Sequence, residues 1–273
     1  MRLFVFGLGY TAARIVALAG GTVAATTRDG RGDTLRFADE AAVRVALAEA
    51  SHVLSSVPPA AEEDPVLARY GDALGGKWLG YLSSTGVYGD VGGAWVDESA
   101  PTGGGRRSAR AVADAAWLAR GARVFRLPGI YGPGRSPIDR VLSGAAHRVH
   151  ARGQVFSRCH VDDIARGVVA AFDAPAGAYN LADDLPADQN AVVAYAAALL
   201  GLPPPPFVPL ENLSSMARGF YAENRRVANG KAKRVLGWAL RYPDYRLGLR
   251  AVRAMTSPPA QIAAPATASP DQR

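Results

Sequence analysis

Short apolar runs alternate with longer amphipathic stretches along most of this chain. Residues 3–6 are continuously apolar, as a strand covered on both faces requires. Residues 11–19 have helical spacing and stop at Gly20 and Gly21. The alternation repeats. The pattern predicts strands at 22–27, 34–37, 51–57 and 78–82, with helices at 40–48 and 64–74. Pro58 and Pro59 end the fourth strand, because neither a helix nor a ladder continues through them. A helix is expected from near Pro101 through Trp117, then a strand around Arg126. Ile138, Val141, Leu142 and Ala145 carry helical spacing within 135–152, and Ile130 to Gly134 reads as a turn before it. Further on, a short strand holds Cys159, and Asp162 or Asp163 caps a helix at 164–172. A strand at 178–181 and a helix at 188–200 follow. In the last helix Leu247, Ala251 and Met255 share the face assigned to the core, with Arg246, Arg250 and Arg253 opposite. Such alternation predicts an α/β fold, a doubly wound parallel sheet with a small C-terminal cap. The division falls at 1–182 for the sheet domain and 183–256 for the cap. The Pro, Ala, Ser, Thr and Gln tail at 257–273 is expected to be disordered.

Composition narrows the classes. The 273 residues, about half of them hydrophobic, suffice for a sizeable core. No apolar run reaches about eighteen residues, so no membrane span is expected. The chain enters its first strand with no leader-like segment, and Cys159 is the only cysteine. Both point to a cytoplasmic protein without an intrachain disulfide. The net charge is +7, and residues 225–253 alone hold nine Lys or Arg against Asp244. That segment reads as a solvated helical face or as attraction to an anionic ligand. No nucleic-acid motif accompanies it.

The turn after the first strand carries chemistry. Gly7, Gly9 and Ala12 fit G-x-G-x-x-A, the dinucleotide-binding turn of a Rossmann-like sheet. Gly7 permits the tight turn, Gly9 lets a pyrophosphate reach the backbone, and Ala12 allows close helix packing. The amides of Tyr10, Thr11 and Ala12 then face the anion. The second strand ends in Thr27 and Arg28, where an NAD site usually has an acid. Arginine suits a 2′-phosphate, so NADP is favoured over NAD, unless Arg28 is only an exposed loop residue. Pro58 ends a strand that would lie over the cofactor.

Four stretches together resemble the extended short-chain dehydrogenase/reductases, the NAD-dependent epimerase/dehydratase group, in an atypical YeeZ-like branch. They are 83–89 with its Val-Tyr-Gly, 126–134, 158–165 with His-Val-Asp-Asp, and 224–242 with Leu-Gly-Trp. The resemblance implies an NAD(P)-binding oxidoreductase-like protein acting on a carbonyl or anionic small molecule, and a homodimer built on a helix pair. It implies that Ser84, with Thr85 beside it, bonds substrate, and that Ser83 and Pro128 lie near the nicotinamide. Arg158 would meet a substrate phosphate, and Asn180 would touch substrate or fix its loop.

One expected pair is absent. The family's acid/base Tyr and the Lys four residues later align with Arg106 and Arg110. A guanidinium stays protonated and is a poor proton relay. Arg110 can still place a positive charge near the ribose, and Arg106 can bind an anionic substrate. Tyr88 and Tyr131 are the candidates to replace the missing tyrosine. The alternative is a non-catalytic NADP-binding sensor or scaffold. His147 and His150 lack carboxylate or thiol neighbours at ligand spacing, so no metal is proposed.

Overall fold

Seven strands form one parallel sheet in a computed structural model that describes residues 1–60, 63–105 and 108–256. They are β1 (Arg2–Phe6), β2 (Thr22–Thr27), β3 (Leu35–Arg36), β4 (His52–Ser55), β5 (Trp78–Ser84), β7 (Arg123–Leu127) and β10 (Gly177–Asn180). Their order is β10-β7-β5-β4-β1-β2-β3, with every neighbouring pair parallel. From β1 the chain steps outward through β2 and β3, then returns to the other side of β1 at β4. That reversal opens a crevice at the carboxyl ends of β1 and β4. Two short parallel pairs lie outside the sheet: β6 (Trp95–Val96) with β11 (Arg226–Val227), and β8 (Gly129–Tyr131) with β9 (Arg158–His160).

Helices cover both faces, which is why β1 is apolar from Leu3 to Phe6. Leu3 and Val5 pack with Ile15 of α1 (Tyr10–Ala19) and Val168 of α6 (Val161–Ala170). Phe4 and Phe6 point the other way, towards α2 (Glu40–Glu49), α3 (Pro65–Tyr70) and α4 (Ser108–Ala119), through Val43, Tyr70 and Trp117. A third cluster joins α5 (Pro137–Leu142), α7 (Gln189–Leu199) and α10 (Tyr245–Thr256) beyond the sheet. The short helices α8 (Ser215–Tyr221) and α9 (Gly230–Leu236) complete the C-terminal part. No helix among the described residues is long and apolar enough to cross a membrane.

Several expected elements differ. The helix at 64–74 is α3 followed by a 3-10 turn, Gly71–Leu74, and of the helix expected from Pro101 the described residues show Ser108–Ala119, with 101–105 not helical. Helical spacing within 135–152 yields only α5, which Ser136 and Asp139 cap reciprocally. Residues read as a turn at 130–134 include β8. The cap of α6 is His160, whose Nδ1 accepts from the Asp162 amide. Asp163 instead accepts from the amides of Arg241 and Tyr242, tying α6 to the C-terminal segment. The buried face of α10 is Tyr245, Gly248, Leu249 and Val252, whereas Leu247 and Met255 are exposed. Two residues on adjacent arcs of a helix cannot be told apart until its partner is known. The tail at 257–273 lies outside the described residues.

Candidate functional site

The turn after β1 opens onto a cavity of about 830 Å³. Gly7 takes φ +82°, and a Cβ there would lie 3.0 Å from Ser56 Oγ and 3.1 Å from Val57 Cγ2. Only glycine meets both demands. Gly9 has the opposite surroundings. A Cβ on it would meet no atom within 4 Å, because Gly9 borders the open cavity. Gly9 also gives α1 no side-chain cap, so the leading amides of that helix remain for an anion. Tyr10, Thr11 and Ala12 line the same wall, and the Tyr10 hydroxyl donates to Pro133 O at 3.1 Å. An open floor at Gly9 above uncapped amides fits a pyrophosphate.

Pro58 after β4 and Pro128 after β7 form opposite sides of the cavity, with Ser83, Ser84 and Thr85 between them. Ser84 Oγ accepts from the Gly86 amide at 3.1 Å, which leaves its own proton to donate. Ser83 is turned inward and donates to Asp114 Oδ2 at 2.6 Å. Arg110, in the first turn of α4, lines the cavity while its Nη1 donates to the Tyr81 hydroxyl at 2.8 Å. Burial pushes that tyrosine up to about 12, against the pull of Arg110. Arg106 lies outside the described residues.

The two tyrosines expected to replace the missing acid/base group do not reach the cavity. The Tyr88 hydroxyl donates to Asn180 Oδ1 at 2.8 Å and accepts from Arg126 Nη1 at 3.0 Å. Arg126 in turn makes a bidentate pair with Asp114, at 2.8 and 3.1 Å, both side chains buried. Asn180 is held there as well, and its Nδ2 donates to Ala228 O. Tyr88 and Asn180 therefore belong to a buried brace beneath the site rather than to its surface. Burial raises the pKa of Tyr88, partly opposed by Arg126. Tyr131 is buried with its hydroxyl unpartnered among the described residues, beside Gly248 of α10. Burial raises its pKa too. Arg28 is exposed just after β2 and outside the cavity lining.

Beyond the strand ends the cavity becomes a basic chamber. Arg135, Arg140, Arg158 and Arg225 line it with Arg110, and Glu223 is the acid among the described lining residues. Glu223 pairs with Arg225 at 3.0 Å. Arg158 is 6% exposed. Its Nη1 donates to Phe156 O and Ala187 O, and its Nη2 to Gln189 Oε1, at 2.8–3.0 Å. All three acceptors are neutral. Burial lowers its pKa, which the nearby Asp183 opposes. Asp183 is itself buried, and burial pushes it up to about 8 against the pull of Arg158. Sequence reasoning missed Arg140, Gln189 and Tyr221 in this wall. Arg225 had a signal, the basic run it begins, but that run reads equally as a solvated face. His147, weighed only as a metal ligand, also lines the chamber. No group of metal-ligating side chains occurs among the described residues. Cys159 is fully buried and its pKa is well above normal, so it is inert.

No family model matches the chain. A functionally unknown conserved protein from Silicibacter pomeroyi DSS is 40% identical, covering 93% of this chain and 98% of that one, with a TM-score of 0.82. The chain belongs to that protein's family. A human epimerase family protein solved with NADPH has a TM-score of 0.73 at 16% identity, covering 93% and 99%. The chain shares the fold of that epimerase family protein. A 3-diazoavenalumate denitrifying reductase from a Streptomyces species is 32% identical to this chain over 165 residues. The match is 55% of this chain and 54% of that protein, so the chain spans about half the length of the curated relative it matches.

Proposed function

We propose that this chain is a nicotinamide-dinucleotide-dependent reductase of an anionic small molecule, with NADP preferred. The observation that carries the reading is one continuous cavity, which runs from the uncapped amides of α1 past Ser84 to the arginine-lined chamber. In this reading residues 1–182 hold the dinucleotide and 183–256 complete the substrate side. Gly7, Gly9 and the amides of Tyr10, Thr11 and Ala12 take the pyrophosphate. Arg28 takes the 2′-phosphate. Pro58, Ser83 and Pro128 shape the nicotinamide pocket, and Arg110 sets a fixed positive charge beside the ribose. When bound, the reduced nicotinamide supplies hydride. Ser84, with Thr85 beside it, donates a hydrogen bond that orients the bound substrate. Arg158 holds the substrate's anionic group.

The test is calorimetric titration with NADPH and NADH. NADPH should bind more tightly, and Arg28→Ala should bring the two affinities together. No binding of either dinucleotide at about millimolar concentration, far weaker than ordinary enzyme sites, rejects the reading.

The missing Tyr and Lys favour a particular kind of acceptor. Reduction of a ketone needs a proton for the new alkoxide, and the two rehearsed tyrosines are buried away from the cavity. Replacement of a diazonium group by hydrogen needs none. A bound reduced nicotinamide would supply the hydride that adds to carbon, and the C–N electron pair would leave with dinitrogen. The name of the Streptomyces relative, a denitrifying reductase of a diazo compound, supports this choice of acceptor. A non-catalytic sensor is disfavoured by an open cavity whose Ser84 hydroxyl is free to donate. NADPH consumption with an aryl diazonium salt, absent in a Gly9→Val variant, is the outcome expected here.

A further inference from the structure

The chemistry of the chamber walls says more about the anion. Arg158 is a buried cation whose acceptors are two carbonyls and an amide oxygen, with no carboxylate or phosphate within ion-pair distance among the described residues. These bonds use three of the five guanidinium N–H groups, and two remain. The nearby Asp183 supports that charge but makes no ion pair with it, so the two spare N–H groups remain, and they match the two oxygens of one carboxylate.

Much of the chamber lining around Arg158 is apolar and aromatic. Phe156 and Tyr221 meet edge to face, with ring centroids 5.4 Å apart. Phe220, Leu213 and Val227 extend the same wall. Polar side chains there are partly committed. The Gln189 carbonyl holds Arg158, Glu223 holds Arg225, and Ser157 Oγ accepts from the Val227 amide. A sugar would leave its hydroxyls poorly matched on such a wall. A flat ring would not.

We propose that the chamber binds a flat aromatic carboxylate, with the ring against Phe156, Phe220 and Tyr221 and the carboxylate on Arg158. The assignment deepens the reductase reading and rests on it only for the fate of the bound acid.

The full chain saturated with NADPH is titrated calorimetrically with cinnamate, methyl cinnamate and UDP-glucose, and NADPH binding is followed separately by its fluorescence. Cinnamate should bind at least about tenfold more tightly than its methyl ester, the loss expected for removing one charge-assisted pair. Arg158→Gln should remove that difference while NADPH affinity stays unchanged, and Arg158→Lys should restore part of it. If Arg158→Gln does not fold, Phe220→Ala, at an exposed position, should weaken cinnamate and its ester alike. NADPH binding without cinnamate binding overturns the assignment and spares the reductase reading. So does equal affinity for acid and ester, or a preference for UDP-glucose. Cinnamate binding without NADPH binding upholds the chamber and overturns the reductase reading.

Discussion

At Asp183 the sequence offers an ordinary acidic loop residue, and the fold makes it a buried carboxyl, 1% exposed. Its pKa rises from 3.8 to about 8 because burial disfavours the charge. Between those values the folded state keeps a proton that the unfolded chain has released. Stability must therefore fall as pH rises through that window, by at most about 1.4 kcal/mol per unit. Urea denaturation at pH 5 and pH 8 should show the wild type less stable at pH 8, and Asp183→Asn should narrow the difference. An undiminished difference would mean that another group carries it. His160 acts at the acid end. Its pKa falls to about 4 through burial, so its contribution is lost as pH drops from 6.5 to 4. The Asp114–Arg126 pair is a different case, with both partners buried and hydrogen-bonded. Asp114→Ala leaves the guanidinium uncompensated and should cost about 3–5 kcal/mol in the same assay. A loss below about 1 kcal/mol, the scale of exposed pairs, would count against the brace. Neither residue announces itself by spacing, although an arginine inside the apolar run of β7 is a flag in retrospect.

Glycines show how elements meet, and they separate structural from functional positions. In β5 a Cβ on Gly80 would sit 2.5 Å from the Trp78 ring and 3.0 Å from Leu54 Cδ1. On α10 a Cβ on Gly248 would run into the Tyr131 hydroxyl. Gly248→Ala should therefore destabilise by about 1–3 kcal/mol, and Tyr131→Phe should recover part of the loss in a double-mutant cycle. Additive effects would deny the contact. Gly9 behaves oppositely, since its Cβ direction is empty. Gly9→Val should leave the melting temperature within a degree or two, on the order of the surface-substitution range, and weaken NADPH at least about tenfold. Unchanged NADPH affinity would remove the glycine turn from the binding site. Periodicity gives the existence of β1, α1, β2 and α7 directly. It fails at α10, where which neighbour is covered depends on α5 and α7, far away in sequence.

Across the whole molecule, charge and cavity act together. Arginines from β9, α5 and the segment before β11 converge on one chamber, though they are far apart in the chain. Binding of NADPH at a hundredfold over its dissociation constant should stabilise the fold by about 2.7 kcal/mol. Because the cavity is strongly basic, that gain should shrink between about 0.05 and 0.5 M salt. Thermal unfolding with and without ligand at the two salt levels checks this. A salt-independent shift would place the dinucleotide away from the arginines.

The sequence by itself determined the α/β alternation, the glycine turn and the strand-end serines, because each depends on residues within about one element of each other. It also exposed the loss of the Tyr and Lys pair, which is a matter of identity rather than placement. Only the tertiary structure decided that Tyr88, Asn180 and Tyr131 are buried, that the hydrogen-bond acceptors of Arg158 are all neutral, and that Arg140, Gln189 and Tyr221 share its chamber. Those outcomes depend on which side chains the sheet order and the packing of α7, α8 and α10 bring together. No local pattern encodes that proximity, since each contact joins segments tens of residues apart.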